Sequence, residues 1–297
     1  MSDYLVKSLA CDGHLRAYAI DATETIREAQ KRQDTWSAAS AALGRSMIGT
    51  LLLATSSLKG DEKMTVKING NGNGPVGGIV IDGNSKGTVK GYVQNPHVHL
   101  PLNDKGKIDV KGAVGTEGFL AVTKDYGLKE PFTGQVPLVS GEIAEDFTYY
   151  LAKSEQIPSS VGLSVFVNSD NTIGTAGGFM IQVMPGCPDE ILDKLEHTLQ
   201  TIAPISTMMQ NGLKPEDILK RLFDEDELEI LEKMPVSFEC DCSKERFAEA
   251  MASLPKKDID EMIEKDHGAT AICHFCCDEY HFTEDELREI EKEARES

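Results

Sequence analysis

Four cysteines set in two tight pairs constrain this chain more than any other feature. Cys240-Asp-Cys242 is followed, after thirty intervening residues, by Cys273-His-Phe-Cys276. Each closely spaced pair lets one turn present two sulfurs to a single point, and two such turns complete a tetrahedron around Zn²⁺. The surrounding segment, Phe238 to Ser297, is small and acidic, and domains of this size are marginal without a staple such as a structural metal. A four-cysteine zinc site on Cys240, Cys242, Cys273 and Cys276 is therefore predicted. His267, His274 and His281 are lesser candidates, because four sulfurs already fill a tetrahedron. Cys277 cannot easily share a metal with its neighbour Cys276 and is spare, while Cys11 and Cys187 read as structural.

Such a site admits more than a static role. With one residue between them, Cys240 and Cys242 could also close a small, strained ring, and strained bridges are the labile, regulatory kind. Oxidants attack thiolates rather than thiols, so metal-bound sulfur is a target. Loss of one pair removes two ligands. Structural zinc contributes on the order of 10–16 kcal/mol in finger peptides, against ~5–15 kcal/mol for the whole stability of a domain. Oxidation is thus expected to unfold the module.

The rest of the 297-residue chain divides by texture. Residues 1–186 are expected to form an α+β core domain with a mixed or antiparallel sheet and helices. Asp21–Leu58 is helix-rich, with Asp34 or Thr35 as candidate caps ahead of Trp36. From Met64 onward, short β-like runs are broken by glycine: Met64–Ile68, Gly78–Asp82, Gly87–Val93, Phe119–Thr123, Gly162–Val167 and Gly178–Val183. Pro185-Gly-Cys-Pro188 closes that domain. A helical linker over 187–236 carries one apolar stripe at Ile191, Leu192, Leu195, Leu199 and Ile202, and a second at Ile218, Leu219, Leu222 and Phe223. Both stripes need a cover, and the cysteine-bearing tail is the candidate lid. Residues 237–297 form the zinc domain, with short helices over Ser243–Leu254 and Lys257–Lys265, and a capping box Thr283-Glu-Asp-Glu286 opening the last helix.

Charge excludes some function classes. There are 30 basic and 49 acidic residues, a net of −19, which argues against a protein that grips phosphate backbones. The excess is concentrated late. Residues 215–297 hold 26 acidic and 11 basic side chains, net −15, and the remainder only −4. The opening Met-Ser-Asp-Tyr-Leu-Val-Lys lacks a signal-peptide pattern, and the apolar run Ser46–Leu58 is short for a membrane span. A cytoplasmic, reducing setting is expected, with no membrane partner. Clustered thiols there suggest metal or redox chemistry. Gly72-Asn-Gly-Pro-Val-Gly77 matches G-x-G-x-x-G, but a strand follows where a dinucleotide site needs a helix, so a hairpin loop is expected. No phosphate loop, G-x-S-x-G or H-E-x-x-H is present. No enzyme activity is predicted.

At these residues the sequence resembles the bacterial redox-regulated heat-shock holdase family, the 33 kDa chaperonins. Further likeness lies in Gly72-Asn-Gly-Pro75, Gly87-Thr-Val-Lys-Gly-Tyr92, Tyr149-Tyr150 with Ser154-Glu-Gln-Ile-Pro158, and Gly177-Gly-Phe-Met-Ile-Gln-Val-Met-Pro-Gly186. Cys240-Asp-Cys-Ser243, and Phe275-Cys276 followed by Tyr280 and Phe282, add to it. The extra Cys277 departs from the pattern. The resemblance implies an ATP-independent chaperone that is inactive when reduced and zinc-bound. On oxidation Cys240 would pair with Cys242 and Cys273 with Cys276, zinc would leave, and the zinc domain and linker would lose structure. Unfolding client proteins would then be held, with the oxidised form a homodimer. Two other classes compete: a thiol–disulfide oxidoreductase using Cys273 and Cys276, and a constitutive zinc-ribbon binding module.

Overall fold

The computed structural model describes residues 2–296. The chain forms two compact units, divided between Glu239 and Cys240.

The main unit is built around one helix. Helix α1 (Thr23–Gln33) leads to α2 (Ser37–Ser57), which is apolar on every side. A helix of that kind has no solvent face to offer and must be core. Among the described residues α2 alone is long and apolar enough to cross a membrane, and 94% of its apolar stretch is buried inside the protein. Its hydroxyls turn back on the helix: Ser46, Thr50 and Thr55 each donate to the carbonyl four residues earlier, at 2.6–2.8 Å. The caps expected at Asp34 or Thr35 are not used. Trp36 is the N-cap, while Asp34 adopts a left-handed conformation that ends α1.

Two sheets enclose α2. The first has the order β10-β1-β2-β9-β8, with β1 (Tyr4–Ala10), β2 (Leu15–Asp21), β8 (Ser159–Val167), β9 (Ile173–Val183) and β10 (Leu228–Pro235), all antiparallel. The second has the order β11-β5-β4-β3-β6-β7, with β3 (Lys63–Asn69), β4 (Gly78–Asn84), β5 (Thr88–Val93), β6 (Phe119–Asp125), β7 (Phe132–Pro137) and β11 (Ser237–Phe238). Only β11 runs parallel to its neighbour. The mixed α+β class expected from the glycine-broken runs is what forms. The Gly72–Gly77 segment joins β3 to β4 as a hairpin loop, as its flanking strands require. Gly74 lies so close to the Val114 carbonyl that a Cβ would sit 2.2 Å from its oxygen, so the loop is fixed by backbone contact.

Helix α3 (Val110–Val114) and α4 (Ala144–Tyr150) flank the sheets, and α4 runs on into a π-helical turn at Leu151–Glu155. Here the main unit buries an ion pair. The Lys124 Nζ lies 2.7 Å from Glu155, with side-chain exposures of 3% and 17%, and Tyr150 donates to the other Glu155 oxygen at 2.6 Å.

Helices α5 (Asp189–Thr201), α6 (Ile205–Gln210) and α7 (Pro215–Leu222) lie on the outer face of the first sheet. The two apolar stripes predicted for this stretch are therefore already covered. Leu195, Ile218, Leu219, Leu222 and Phe223 pack with Val6, Leu15, Ala17, Ala19 and Ile181 of the sheet, because those strands present a second apolar face. The stretch is also not wholly helical. Leu228–Pro235 pairs along β1 as β10, since long-range backbone pairing overrides the helix propensity of its Leu and Glu residues.

The second unit contains α8 (Lys244–Ala252), α9 (Lys256–Glu264), the antiparallel pair β12 (Gly268–Ile272) and β13 (Glu279–Thr283), and α10 (Glu284–Glu296). Its apolar core is small: Ile259, Ile263, Phe282, Leu287 and Ile290. The predicted capping box forms, with Thr283 N–H donating to Glu286 at 2.9 Å and Glu286 N–H to the Thr283 hydroxyl at 3.3 Å.

Candidate metal centre

The cysteines come from two backbone devices. Cys240 and Cys242 precede α8, whose N-cap Ser243 accepts from the Arg246 N–H at 3.3 Å. Cys273 and Cys276 lie in the tight turn between β12 and β13. Cys277 N–H donates to the Cys273 carbonyl at 2.8 Å, and Cys273 N–H to the Asp278 carbonyl at 3.0 Å. That closed loop turns both sulfurs inward. Cys277 is left at φ +60° with its side chain exposed.

The four sulfurs converge. Cys240 Sγ lies 3.7 Å from Cys273 Sγ, Cys242 Sγ lies 3.2 Å from Cys276 Sγ, and all four are within 4.8 Å of one another. Sulfurs about 2.3 Å from a central zinc ion would form a tetrahedron with edges of about 3.8 Å. The spacing and the all-sulfur donor set fit such an ion. These four close cysteines could hold a metal, and all are free thiols. Cys273 and Cys276 are buried, whereas Cys240 and Cys242 are half-buried.

Their surroundings distribute charge unequally. Burial pushes the Cys240 thiol up to about 11. Cys276 is raised further, first by burial and then by neighbours that hold its proton, Asp278 among them at 3.3 Å. Burial also works against charge on Cys242, but donors at its sulfur outweigh it and lower its pKa, the Tyr280 hydroxyl foremost at 3.3 Å. Tyr280 is raised in turn by that contact. Burial thus opposes charge on Cys240 and Cys276, and a cation among the sulfurs would favour their ionised forms.

The donor cluster contains no histidine. His267 lies 2.8 Å from Glu284 and His281 3.0 Å from Thr270. Cys11 and Cys187 belong to the main unit, where Cys11 Sγ is 3.9 Å from Glu227 and Cys187 Sγ is 3.7 Å from the Pro188 carbonyl. Burial raises both thiols. Tyr280 is the neighbour of the cluster that residue-by-residue reading does not assign. Its place in the resemblance and its position on β13, directly after the cysteine turn, are the available signals.

Fold and cluster together define an α+β protein that ends in a four-cysteine module of metal-binding type. A family model described as "Hsp33 protein" matches residues 3–283. The 33 kDa chaperonin of Lactiplantibacillus plantarum is 67% identical over 290 residues, spanning 98% of this chain and 97% of that relative. The 33 kDa chaperonin of Enterococcus faecalis is 57% identical, spanning 99% and 98%. A crystal structure of the 33 kDa chaperonin (heat shock protein 33 homolog) from Thermotoga maritima superposes with a TM-score of 0.92 at 38% identity, covering all of both chains. The chain belongs to the Hsp33 family.

Proposed function

We propose that this protein is a redox-regulated, ATP-independent holdase of the cytoplasm, inactive as a zinc-bound thiol form and activated by disulfide formation. The observation that carries this reading is the convergence of four free thiols on one point in a unit whose buried apolar cluster, among the described residues, is small. A soft, four-sulfur donor set favours zinc among the common divalent ions. Zinc, when bound, supplies the positive charge that lets all four sulfurs ionise and the free energy that keeps so small a unit folded.

The chain's own residues perform the switch. Cys240 with Cys242, and Cys273 with Cys276, each give up two electrons from their two thiolates to form a disulfide, while one peroxide per pair takes up those electrons and two protons from solvent to become two waters. A sulfur committed to a disulfide is no longer an anionic donor, so two pairing events remove all four ligands. Residues 237–297 then lose structure. The linker, residues 187–236, loosens from the core, residues 1–186. Unfolding client proteins are the partners, and the oxidised form is a homodimer. No residue is given a catalytic role, and neither nucleic acid nor membrane is a partner.

The test is one titration. Zinc-loaded protein is treated with peroxide while thiols, released zinc and light scattering from a thermally unfolding client enzyme are followed. Two disulfides form and one zinc leaves per chain, scattering is suppressed only after oxidation, and reductant with zinc restores the idle form. Equal suppression by the thiol form, or zinc retained after both disulfides close, would refute the reading.

A further inference from the structure

The first sheet ends at β8, beyond which no described strand pairs. In the β8–β9 ladder Val165 faces Ala176. The Ala176 N–H and carbonyl are turned the other way, to the Thr23 hydroxyl at 3.1 Å and the Ala22 N–H at 2.9 Å. The Val165 N–H and carbonyl must therefore point away from β9, and those of Leu163, two residues back, do the same. At Val161, the next position of that parity, the Thr148 hydroxyl of α4 accepts the outward N–H at 3.2 Å. At Leu163 and Val165, whose side chains belong to the core, no described residue does so.

These groups lie in a cleft of about 940 Å³. Its lining includes Trp36, Leu102 and Ile205 at the start of α6, together with the cations Arg45 and Lys107. Trp36, Leu102 and Phe166 are exposed large hydrophobics. No Asp or Glu lines the cleft, in a chain with 49 of them. The opposite edge of the same sheet is guarded in the usual way, since β10 carries Glu229, Glu232 and Lys233. Strand β8, Ser-Ser-Val-Gly-Leu-Ser-Val-Phe-Val, carries neither charge nor proline.

We propose that this cleft is a strand-addition site, in which an extended apolar segment of a non-native polypeptide lies along Leu163–Val165 as the sheet's sixth strand. Only an extended backbone offers donors and acceptors at the spacing of the open β8 edge, while the aromatic and aliphatic part of the lining takes its apolar side chains. That the segment comes from a client protein rests on the chaperone reading above. Capture through main-chain hydrogen bonds would explain how one site accepts many sequences.

The test uses the full-length protein, in thiol and oxidised forms, and a fluorescein-labelled octapeptide of alternating Val and Ser. Two further versions carry N-methyl groups on the odd or on the even amides. A peptide added to β8 turns one set of amides to the edge, so one methylated version loses roughly tenfold or more in affinity and the other keeps it. Val165→Pro deletes an outward N–H that β9 does not use and weakens the parent peptide by a similar factor. Phe166→Lys, which leaves the backbone intact, weakens it as well. Equal binding of all three peptides, equal loss for both methylated ones, or a protein dimer that excludes the peptide and dissociates on Val165→Pro would each overturn the proposal. Peptide capture without oxidant-dependent suppression of aggregation would leave the cleft standing and remove the switch. Suppression without dependence on the methylated set would do the reverse.

Discussion

The buried pair of Lys124 and Glu155 gives a sharp quantitative test of the main unit. Replacing Glu155 by Gln leaves an ammonium that is 3% exposed without its carboxylate. Breaking a buried pair by removing one partner typically costs about 3–5 kcal/mol, because the remaining charge is stranded. Lys124→Met strands Glu155 instead, but that side chain is 17% exposed and keeps the Tyr150 hydroxyl at 2.6 Å, so its cost should be smaller. The double variant strands nothing, and its Gln can still accept from Tyr150. It should lie within ~1 kcal/mol of the parent, since replacing such a pair outright is often neutral. The chain's single tryptophan, Trp36, belongs to this unit, so its emission during urea unfolding reports the right transition. A loss of ~4 kcal/mol corresponds to a fall of about 8–16 °C in Tm for a unit of this size. If Glu155→Gln costs under ~1 kcal/mol, or the two single costs simply add in the double variant, the pair is not electrostatically coupled and the reasoning fails.

Two further outcomes follow from the main unit. Glu216 on α7 accepts from Tyr4 on β1 at 2.7 Å and from Lys233 on β10; burial opposes its charge, yet these donors outweigh it and hold its pKa below the ordinary 4.5. A depressed acid stabilises the fold above its unfolded pKa and loses that contribution as pH falls through the folded value, so the Tm gap between parent and Glu216→Gln should narrow on acidification below about pH 4.5; a gap that is flat or widens there contradicts the assignment. Gly49→Ala on α2 would place a Cβ 2.4 Å from the Phe147 ring, and overpacking of this kind should destabilise by about 1–3 kcal/mol in the same urea assay, despite the better helix propensity of Ala.

The cysteine site was legible because its information is local: two short spacings fix two turns, and tetrahedral coordination needs little more. Its neighbour Tyr280 was not, since a phenol on a strand declares no partner until the hairpin brings its hydroxyl to Cys242. Among the strands, the glycine-broken runs of the second sheet could be read directly. The β1–β2 hairpin carried a usable signal in Asp12-Gly13, with Cys11 and Asp12 at φ of 52° and 53° as a tight turn requires. For β10 no local signal existed. Leu-Glu-Ile-Leu-Glu-Lys suits a helix as well as a strand, and only the partner at β1 decides. The stripes on α5 and α7 announced that something must cover them, while the identity of the cover depended on a two-faced sheet assembled from distant segments.

That distant assembly has a consequence during synthesis. Tyr4–Ala10 can zip to Leu15–Asp21 as soon as both leave the ribosome, but its other flank waits for Leu228–Pro235, more than two hundred residues later. Until residue 235 has been made, the β1–β2 hairpin has one bare side, and the five-stranded sheet cannot close. A member of a chaperone family built this way passes through its own synthesis with an open sheet edge.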